Sequence, residues 1–563
     1  MKPAIFILAA SALPLARKLK QELDGIIHAP ESVKGGDVVY VKARLEVARL
    51  FKESRSIIGL CASGILIRAV APHLNDKHVE PPVVAVAEDG SSAVPLLGGH
   101  HGANELARKI AGITGGTAAI TTASDVRLGK AFEELEPGYV LGNSQDVKSA
   151  TVAALRGETV ERRETVAAES GGPSKLIYHP RSLVVGVGCE RGVEPEELRT
   201  LIEETFDEHG LAREAIAHYA SIDLKEDEAA VTALGNVRFF STKELNAQSY
   251  RVMKPSEIVR AEVGTPSVAE AAALAAAGPD GELIVPKTKS KRATVAIAQA
   301  PAPILEPRGR VRGTVHVVGL GPGAMATRSP EATRILQSTD DWVGYQLYLE
   351  LASDCRDGQI LHSFPLGAEE DRCRQAMTLA KRGRQVALVC SGDAGIYAMA
   401  ALVYELIDLA PCRIAVNVVP GISAFQAAAA KAGALIGHDF CCISLSDLLT
   451  PWETIEARIE AAAMGDFVVA FYNPRSMKRQ DQLSRAIEIL REHRPETTPV
   501  VVASNLGRPE ESVAITPLVE FDPANVDMLT VVLVGSSQSK SFKRGDGRTY
   551  AYTPRGYAKK RQA

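Results

Sequence analysis

The chain has 563 residues, of which 46% are hydrophobic and 23% are charged, and its formal net charge is −4. Single hydrophobic cores rarely exceed about 300 residues, so this length predicts two to four domains of ordinary globular composition. The near-neutral charge excludes a general electrostatic attraction to nucleic acid or to a membrane surface. The eight cysteines lack the paired spacing of zinc sites, which favours buried thiols in a reducing cytoplasm and predicts no metal site.

The first predicted element is a strand at Ile5–Leu8, followed by an amphipathic helix. The apolar and small residues from Met1 to Ala16 also fit a secretory signal, which stays open as an alternative. However, Arg17-Lys18 follows at once, and the run is too short to span a membrane. The pattern therefore favours the start of an α/β domain in a cytoplasmic protein.

Residues 1–140 alternate short apolar strands with helices and predict one α/β domain. Three segments, Cys61–Pro72, Asp76-Lys77 and Leu96–Asn104, are expected to meet at one sheet edge. The last contains an adjacent histidine pair, whose side chains point apart on an extended turn, so a shared metal ion is the weaker interpretation. The candidates for acid–base chemistry in this domain are Lys77, His100 and His101, with Asp125 as an acidic alternative.

A polar bridge at 141–180 leads to a second α/β domain at 181–298. This domain opens with a strand at Ser182–Gly188 and closes with an alanine-rich helix and a strand ending at Ala298. Cys189 has two interpretations, a nucleophile beside a helix start or a small apolar filler, and Asp223 is another candidate acid. The proline-rich segment 299–312 is predicted to be an interdomain linker.

The third region, 313–563, has three strands that end in turns containing glycine or proline. These turns are Gly319–Gly323, Ser391–Gly395 and Pro420–Ser423, and a fourth apolar run ends at Tyr472. Glycine tolerates backbone conformations that let amides approach a ligand closely. The first turn lacks the third glycine of a dinucleotide fingerprint and is interrupted by Pro322, which disfavours a nicotinamide enzyme.

Together with Gly344-Tyr345, Ile443–Trp452 and Thr553–Tyr557, these turns resemble the tetrapyrrole methyltransferases, in particular those that act on precorrin-3B at C17. The resemblance implies an α/β fold of two subdomains with parallel and mixed sheets. It implies methylation and ring contraction of precorrin-3B to precorrin-4 in cobalamin biosynthesis, in a homodimer, with S-adenosylmethionine as the methyl donor. It places the donor against Pro322, Ser391, Gly392, Asp393, Ile396, Ser423, Ala424, Tyr472 and Leu506.

Several of these residues have alternative interpretations. Asp393 equally fits a cap of the helix that follows it. A macrocycle with carboxylate substituents requires cations, for which Arg475, Lys478 and Arg555 are the candidates, although a basic tail is also common at a solvated chain end. Ring contraction requires proton transfer, and the candidate groups by residue type are His438, Asp439, Ser446, Asp447 and Tyr472. Each of them also fits a purely structural role.

The first two domains carry further motifs, Gly186–Gly192, Ser221–Lys225 and Pro266–Ala272. With the Cys61–Asn104 segments, they resemble the cobalamin-pathway proteins that open the lactone of cobalt-precorrin-5A and release acetaldehyde. Glu190 departs from the basic residue common in that family. The sequence therefore predicts a bifunctional cobalamin-pathway enzyme; the alternatives are a corrinoid-binding front half without catalysis, or a methyltransferase with an unrelated substrate.

Overall fold

The computed structural model describes residues 2–76, 79–121, 132–476 and 480–557. The expected strands and helices form, with small shifts at their ends. The predicted first strand is Ala4–Ile7, the alanine-rich helix is Ala269–Ala277, and the apolar run before Ser391 is the strand Gln385–Cys390. None of the described helices has the length and apolar character needed to cross a membrane.

The first domain contains a seven-stranded sheet. Its strands lie in the spatial order Val38–Tyr40, Ile26–Pro30, Ala4–Ile7, Ile57–Leu60, Val83–Val86, Ser92–Leu97 and Thr117–Ala118. Helices Leu13–Leu23, Ala43–Lys52, Ser63–Val70 and Ala103–Thr114 accompany it. Two separate apolar clusters contain opposite faces of the same strands, with Ile5 in one and Phe6 in the other, because side chains alternate along a strand.

One sheet pairing corrects the expectation that the motifs of this domain share one edge. Ser92–Leu97 runs antiparallel to Val83–Val86, with Leu97 opposite Val83. Ile57, the first residue of its strand, also pairs with Val83. Gly98–His101 therefore lies at the end of the sheet where the parallel strands begin, whereas Cys61 follows the strand Ile57–Leu60 at the end where they finish. The four residues of each strand separate these two ends by roughly 13 Å.

The segment expected as a bridge has structure of its own. It contains the helix Val147–Leu155 and a three-stranded sheet in the order Tyr139–Leu141, Lys175–Pro180 and Glu161–Glu164. Val147, Ala150, Leu176 and Tyr178 form its small buried cluster.

The second domain has a five-stranded mixed sheet. The spatial order is Val237–Phe240, Ile216–Ile222, Leu183–Cys189, Ala293–Gln299 and Glu282–Lys289. Helix Pro195–Glu208 and the alanine-rich helix belong to two different apolar clusters of this sheet, and three short helices, Ala229–Thr232, Thr242–Asn246 and Glu257–Val263, complete the domain. The alanine-rich helix packs so closely that a Cβ added to Gly186 would lie 1.9 Å from the carbonyl oxygen of Ala269.

The proline-rich linker lies against the second domain. The amide of Ile304 donates to the carbonyl of Arg181, and Arg310 exchanges two backbone hydrogen bonds with Phe239. The Arg310 side chain also contacts the carboxylates of Asp223 and Glu226. The linker is therefore held by backbone pairing and charge, in addition to the stiffness of its prolines.

The third region consists of two halves, each built on a five-stranded sheet. The first sheet is parallel, in the order Ile360–Phe364, Asp341–Tyr345, Gln385–Cys390, Thr314–Gly319 and Ala415–Val419. The second is mixed, in the order Phe440–Ser444, Val468–Tyr472, Thr530–Val534, Pro499–Ser504 and Ser512–Pro517. A small third sheet contains Gly433–Ala434, Thr549–Tyr552 and Lys540–Lys543.

Helices cover both halves of this region. They are Pro330–Ser338, Gln346–Leu351, Glu369–Ala380, Met399–Leu409, Ala424–Ala432, Trp452–Met464 and Gln482–His493. The protein is therefore a multidomain α/β protein with parallel and mixed sheets, as the sequence predicts.

Candidate active site between the two halves of the third region

Three turns meet where the strands of the parallel sheet end. Gly321 and Gly392 exchange backbone hydrogen bonds of 3.1 and 2.8 Å, which joins the first turn to the second. A Cβ added to Gly421 in the third turn would lie 2.1 Å from the carbonyl oxygen of Gly392. Such contact between main chains requires glycine and brings backbone amides from three turns to one place, at the sheet edge where α/β proteins bind ligands.

Asp393 connects two of these turns. Its Oδ1 atom accepts the amide of Gly395 at 2.8 Å, and its Oδ2 atom accepts the amide of Gly421 at 3.0 Å. The following helix begins after Ala398 and has no side-chain cap, so the alternative role of Asp393 as a helix cap is wrong. Its carboxylate instead fixes the distance between the second and third turns.

Aromatic residues join these turns to the second half of the region. The hydroxyl of Tyr397 donates to the carbonyl of Cys442 at 2.9 Å and accepts the amide of Ser444 at 3.2 Å. Its ring centroid lies 5.5 Å from that of Tyr472. Tyr397 has a φ of +49°, an unusual conformation for a non-glycine residue, and the contacts across the cleft hold it there.

Tyr472 ends the strand Val468–Tyr472 beside Ser423 and Ala424, the residues at which the helix Ala424–Ala432 begins. The phenol oxygen accepts the amide of Phe425 at 3.4 Å. Burial raises the pKa of Tyr472 to about 12, so the phenol is protonated at neutral pH. This residue is therefore suited to donating a hydrogen bond and poorly suited to acting as a base.

Leu506 and Arg508 reach the cleft from the turn after the strand Pro499–Ser504. This turn packs on the first turn, because a Cβ added to Gly507 would lie 2.6 Å from the amide nitrogen of Ala324. Arg508 donates from Nη2 to Ser391 Oγ at 3.2 Å. Arg508 was not selected from the sequence. The feature that could have indicated it is the short Asn-Leu-Gly-Arg turn after a buried strand.

The residues of the cleft fit S-adenosylmethionine. A Cβ added to Gly392 would meet nothing closer than the Cα of Ser423 at 3.9 Å, so the space beside this turn is open. Partly exposed Ile396 and buried Leu506 provide apolar surface beside the backbone amides. Pro322 belongs to the first turn. The donor contacts that the resemblance implies therefore lie in the three turns, at Tyr472 and in the Leu506 turn.

The candidate substrate cations differ in position. Arg475 lies in the loop after Tyr472, and its guanidinium donates to the carbonyl of Ala524. Arg555 is exposed and follows Thr553, whose amide donates to Ala434 near the far end of the helix Ala424–Ala432. Lys478 lies outside the described residues.

The candidate bases also separate. Asp447 follows the strand Phe440–Ser444 at the edge where Tyr472 lies, and its Oδ2 atom accepts Gln482 Nε2 at 2.8 Å. His438 precedes the same strand and accepts the amide of Asp439 at 2.9 Å. The six residue steps between His438 and Ser444 correspond to roughly 20 Å, so Asp447 lies at the cleft edge and His438 at the opposite end of the sheet.

The amino-terminal candidates that the structure describes include no activated thiol. Burial raises the pKa of the Cys189 thiol to about 11, which favours its interpretation as an apolar filler. Glu190, the departure from the family pattern, forms an ion pair with Arg292 at 3.0 Å. His101 is exposed at the end of the short 3-10 helix Gly99–His101, and Lys77, Asp125 and the side chain of His100 lie outside the described residues.

Comparison with known proteins decides which family this site represents. Residues 314–522 match the model for Tetrapyrrole (Corrin/Porphyrin) Methylases. A precorrin-3B C(17)-methyltransferase from Sinorhizobium sp is 41% identical over 249 residues, which are 44% of this chain and 98% of that protein. The chain belongs to the tetrapyrrole methylase family. Its catalytic region is accordingly an S-adenosylmethionine-dependent methyltransferase of cobalamin biosynthesis.

Two further matches to the tetrapyrrole methylase region are a second relative and a solved structure. A probable cobalt-factor III C(17)-methyltransferase from Salmonella typhimurium is 44% identical and covers 43% of this chain and 99% of its own length. The crystal structure of the methyltransferase CobJ is 41% identical, covers 43% of this chain and 100% of that chain, and aligns with a TM-score of 0.41.

The amino-terminal part of this tetrapyrrole methylase matches two other family models. Residues 46–125 match the Cobalamin synthesis G N-terminal model, and residues 183–298 match the Cobalamin synthesis G C-terminus model. The chain therefore has regions similar to both parts of a cobalamin synthesis G protein in front of the methylase.

Proposed function

We propose that the third region transfers a methyl group from S-adenosylmethionine to C17 of precorrin-3B, or of its cobalt-containing counterpart, and contracts the macrocycle. The identity of 41% across 98% of a precorrin-3B C(17)-methyltransferase carries this proposal. The meeting of three turns at one sheet edge supports it, because methyl transfer depends mainly on holding donor and acceptor in line. When bound, S-adenosylmethionine supplies an already activated methyl group.

The exposed apolar side chains around the cleft support the proposal that its substrate is large and partly apolar. Several apolar side chains in the loops at the ends of the strands are exposed, and Leu449 is 98% exposed. The others are Met325, Ile396, Tyr397, Ile422 and Leu448. A cluster of exposed apolar residues at a cleft is typical of a ligand-binding surface. The face of a tetrapyrrole macrocycle would cover this rim while its carboxylates contact nearby cations.

We assign the proton transfer of ring contraction to Asp447. It lies at the cleft edge, whereas His438 lies at the far end of the strand and the Tyr472 phenol is protonated at neutral pH. Asp447→Asn keeps the size of the side chain and its contact with Gln482 while removing the carboxylate. The expected result is a methylated product without ring contraction; a normal contracted product would exclude Asp447 as the base.

The experiment that tests the main activity uses the full chain with S-adenosylmethionine and precorrin-3B, with and without cobalt. Mass spectrometry of the tetrapyrrole is expected to detect the gain of one methyl group, and the preferred reaction identifies the metal state of the substrate. No gain with either substrate would contradict the proposal.

For the amino-terminal part, we infer opening of the cobalt-precorrin-5A lactone with release of acetaldehyde. Its support is the match to both cobalamin synthesis G models. A corrinoid-binding role without catalysis is the second candidate, and it is favoured by the raised thiol pKa of Cys189 and the ion pair that occupies Glu190. Alanine variants of Lys77, His100 and His101 separate the two: hydrolysis predicts loss of acetaldehyde release with tetrapyrrole binding retained.

A further inference from the structure

Arg508 crosses from the second half of the methylase region onto the first. Its turn has left-handed backbone at Asn505 (φ +51°) and Gly507 (φ +70°), and the amide of Arg508 donates to the carbonyl of Asn505. The stem of its side chain then passes over the first turn. A Cβ added to Gly323 would lie 2.7 Å from Arg508 Cγ, so this passage requires glycine at that position.

The Arg508 guanidinium lies beside the donor-binding turns. Nη2 donates to Ser391 Oγ at 3.2 Å, next to Gly392 and Asp393. The guanidinium also acts on Tyr348: burial raises the pKa of this phenol, and the positive charge of Arg508 opposes that increase. The cation from the second half is thus placed beside segments of the first half.

The described residues leave this cation without a carboxylate partner. Arg508 Nε is buried and makes no hydrogen bond with them, and the Ser391 hydroxyl is the one acceptor they give to the guanidinium. The nearby carboxylate of Glu511 is already engaged, because it accepts Lys431 Nζ at 2.6 Å and the amide of Gly507 at 2.7 Å.

Three buried arginines of the same region each have a carboxylate partner. Arg328 pairs with Asp354, Arg372 with Glu369 at 2.6 Å, and Arg494 with Asp466 at 2.9 Å. A partly buried guanidinium is ordinarily paired, because removal of a charge from water is costly. The Arg508 guanidinium has no such carboxylate among the described residues, which indicates a site for an anion that comes from outside the chain.

We propose that Arg508 binds a carboxylate of a ligand in this cleft. The inference rests on the proposed methyltransferase function and assigns a binding residue within it. Arginine is suited to this role because its planar fork offers two parallel donors to one carboxylate. Two ligands carry such a group: the amino-acid end of the methyl donor, and the carboxylate substituents of the tetrapyrrole.

The test compares the full-length wild-type protein with Arg508→Gln, Arg508→Lys and the matched control Arg548→Gln, which changes an exposed arginine in the Lys540–Tyr552 hairpin. Calorimetry measures the Kd of S-adenosylhomocysteine and of 5′-methylthioadenosine, which lacks the amino-acid carboxylate. Methylation assays measure the KM for precorrin-3B. Equal melting temperatures and retained 5′-methylthioadenosine binding establish that the Arg508 variants are folded.

If Arg508 binds the carboxylate of the methyl donor, Arg508→Gln raises the Kd of S-adenosylhomocysteine about tenfold or more and leaves the Kd of 5′-methylthioadenosine unchanged. A substrate carboxylate predicts unchanged S-adenosylhomocysteine binding and a KM for precorrin-3B about tenfold higher. Arg508→Lys retains part of the affinity in either case. The control Arg548→Gln changes neither the two Kd values nor the KM.

Unchanged values for both ligands in folded Arg508→Gln would overturn the inference while leaving the methyltransferase function intact. If instead the wild type bound S-adenosylhomocysteine but did not methylate precorrin-3B, the proposed function would fail, and the calorimetric comparison would still test Arg508.

Discussion

The carboxylate of Asp393 accepts the amide of Gly421 at 3.0 Å across the gap between two turns. Its other oxygen accepts the amide of Gly395 within its own turn. One side chain thus determines both the shape of the second turn and its distance from the third. Residues of both turns are proposed to contact the methyl donor, so this side chain acts on the site whether or not it touches the donor itself.

Asp393→Ala removes both hydrogen bonds. We expect S-adenosylhomocysteine to bind roughly tenfold or more weakly, since a hydrogen bond to a charged group contributes about 1.5–3 kcal/mol. Calorimetry measures this change. Asp340→Ala is the control, because Asp340 accepts a backbone amide, from Gln385, at the opposite end of the same sheet. Equal affinity in Asp393→Ala and the wild type would contradict the prediction.

Gly421→Ala tests the close contact of the turns. The new Cβ would lie 2.1 Å from the carbonyl oxygen of Gly392, and neither main chain can move without disturbing its neighbours. We expect destabilisation of at least about 2 kcal/mol and loss of S-adenosylhomocysteine binding. Gly112→Ala is the matched control, since a Cβ there meets nothing within 4 Å on the helix Ala103–Thr114. A Gly421→Ala protein that bound normally would exclude the steric argument.

Tyr397→Phe tests the contact between the two halves of the cleft. The change removes the hydrogen bonds with Cys442 and Ser444 but keeps the ring beside Tyr472. Each bond contributes about 1 kcal/mol, so we expect the Ser444 amide to exchange hydrogen several-fold faster. Hydrogen–deuterium exchange measures this rate. Tyr404→Phe, at an exposed tyrosine, serves as the control, and unaltered exchange at Ser444 would refute the role of the hydroxyl.

The buried imidazole of His218 is expected to make the folded protein less stable in acid. It is 1% exposed, neither ring nitrogen has a hydrogen-bond partner among the described residues, and burial lowers its pKa to about 4. Between pH 4 and 6.5 the unfolded chain therefore binds a proton that the folded protein does not. Stability falls as pH decreases through this window, by roughly 3 kcal/mol for this group.

His218→Leu removes that titration without a large change in volume. Thermal unfolding between pH 4 and 6.5 is expected to depend less steeply on pH in the variant than in the wild type. His493→Leu, which removes an exposed imidazole, is the control. Identical pH dependence in His218→Leu and the wild type would show that His218 does not cause the acid sensitivity.

The sequence predicted local structure well because the signals are local. The apolar run Gln385–Cys390 is a strand as expected, and the turn after it contains the glycine and aspartate that organise the cleft. The same reasoning failed for Cys61 and His101, which lie at opposite ends of the strands of one sheet. Strand direction depends on pairing between segments distant in sequence, and an apolar run does not specify whether its neighbour is parallel.

The sequence by itself determined the order of the domains, the family of the third region and the turns that form its cleft. These follow from residue type and spacing, which the chain carries directly. Tertiary structure alone decided that Asp393 joins two turns instead of capping a helix, that His438 lies far from Tyr472, and that Arg508 reaches Ser391. Each of these depends on distances between segments up to 117 residues apart, which are fixed only when the sheets pair and pack.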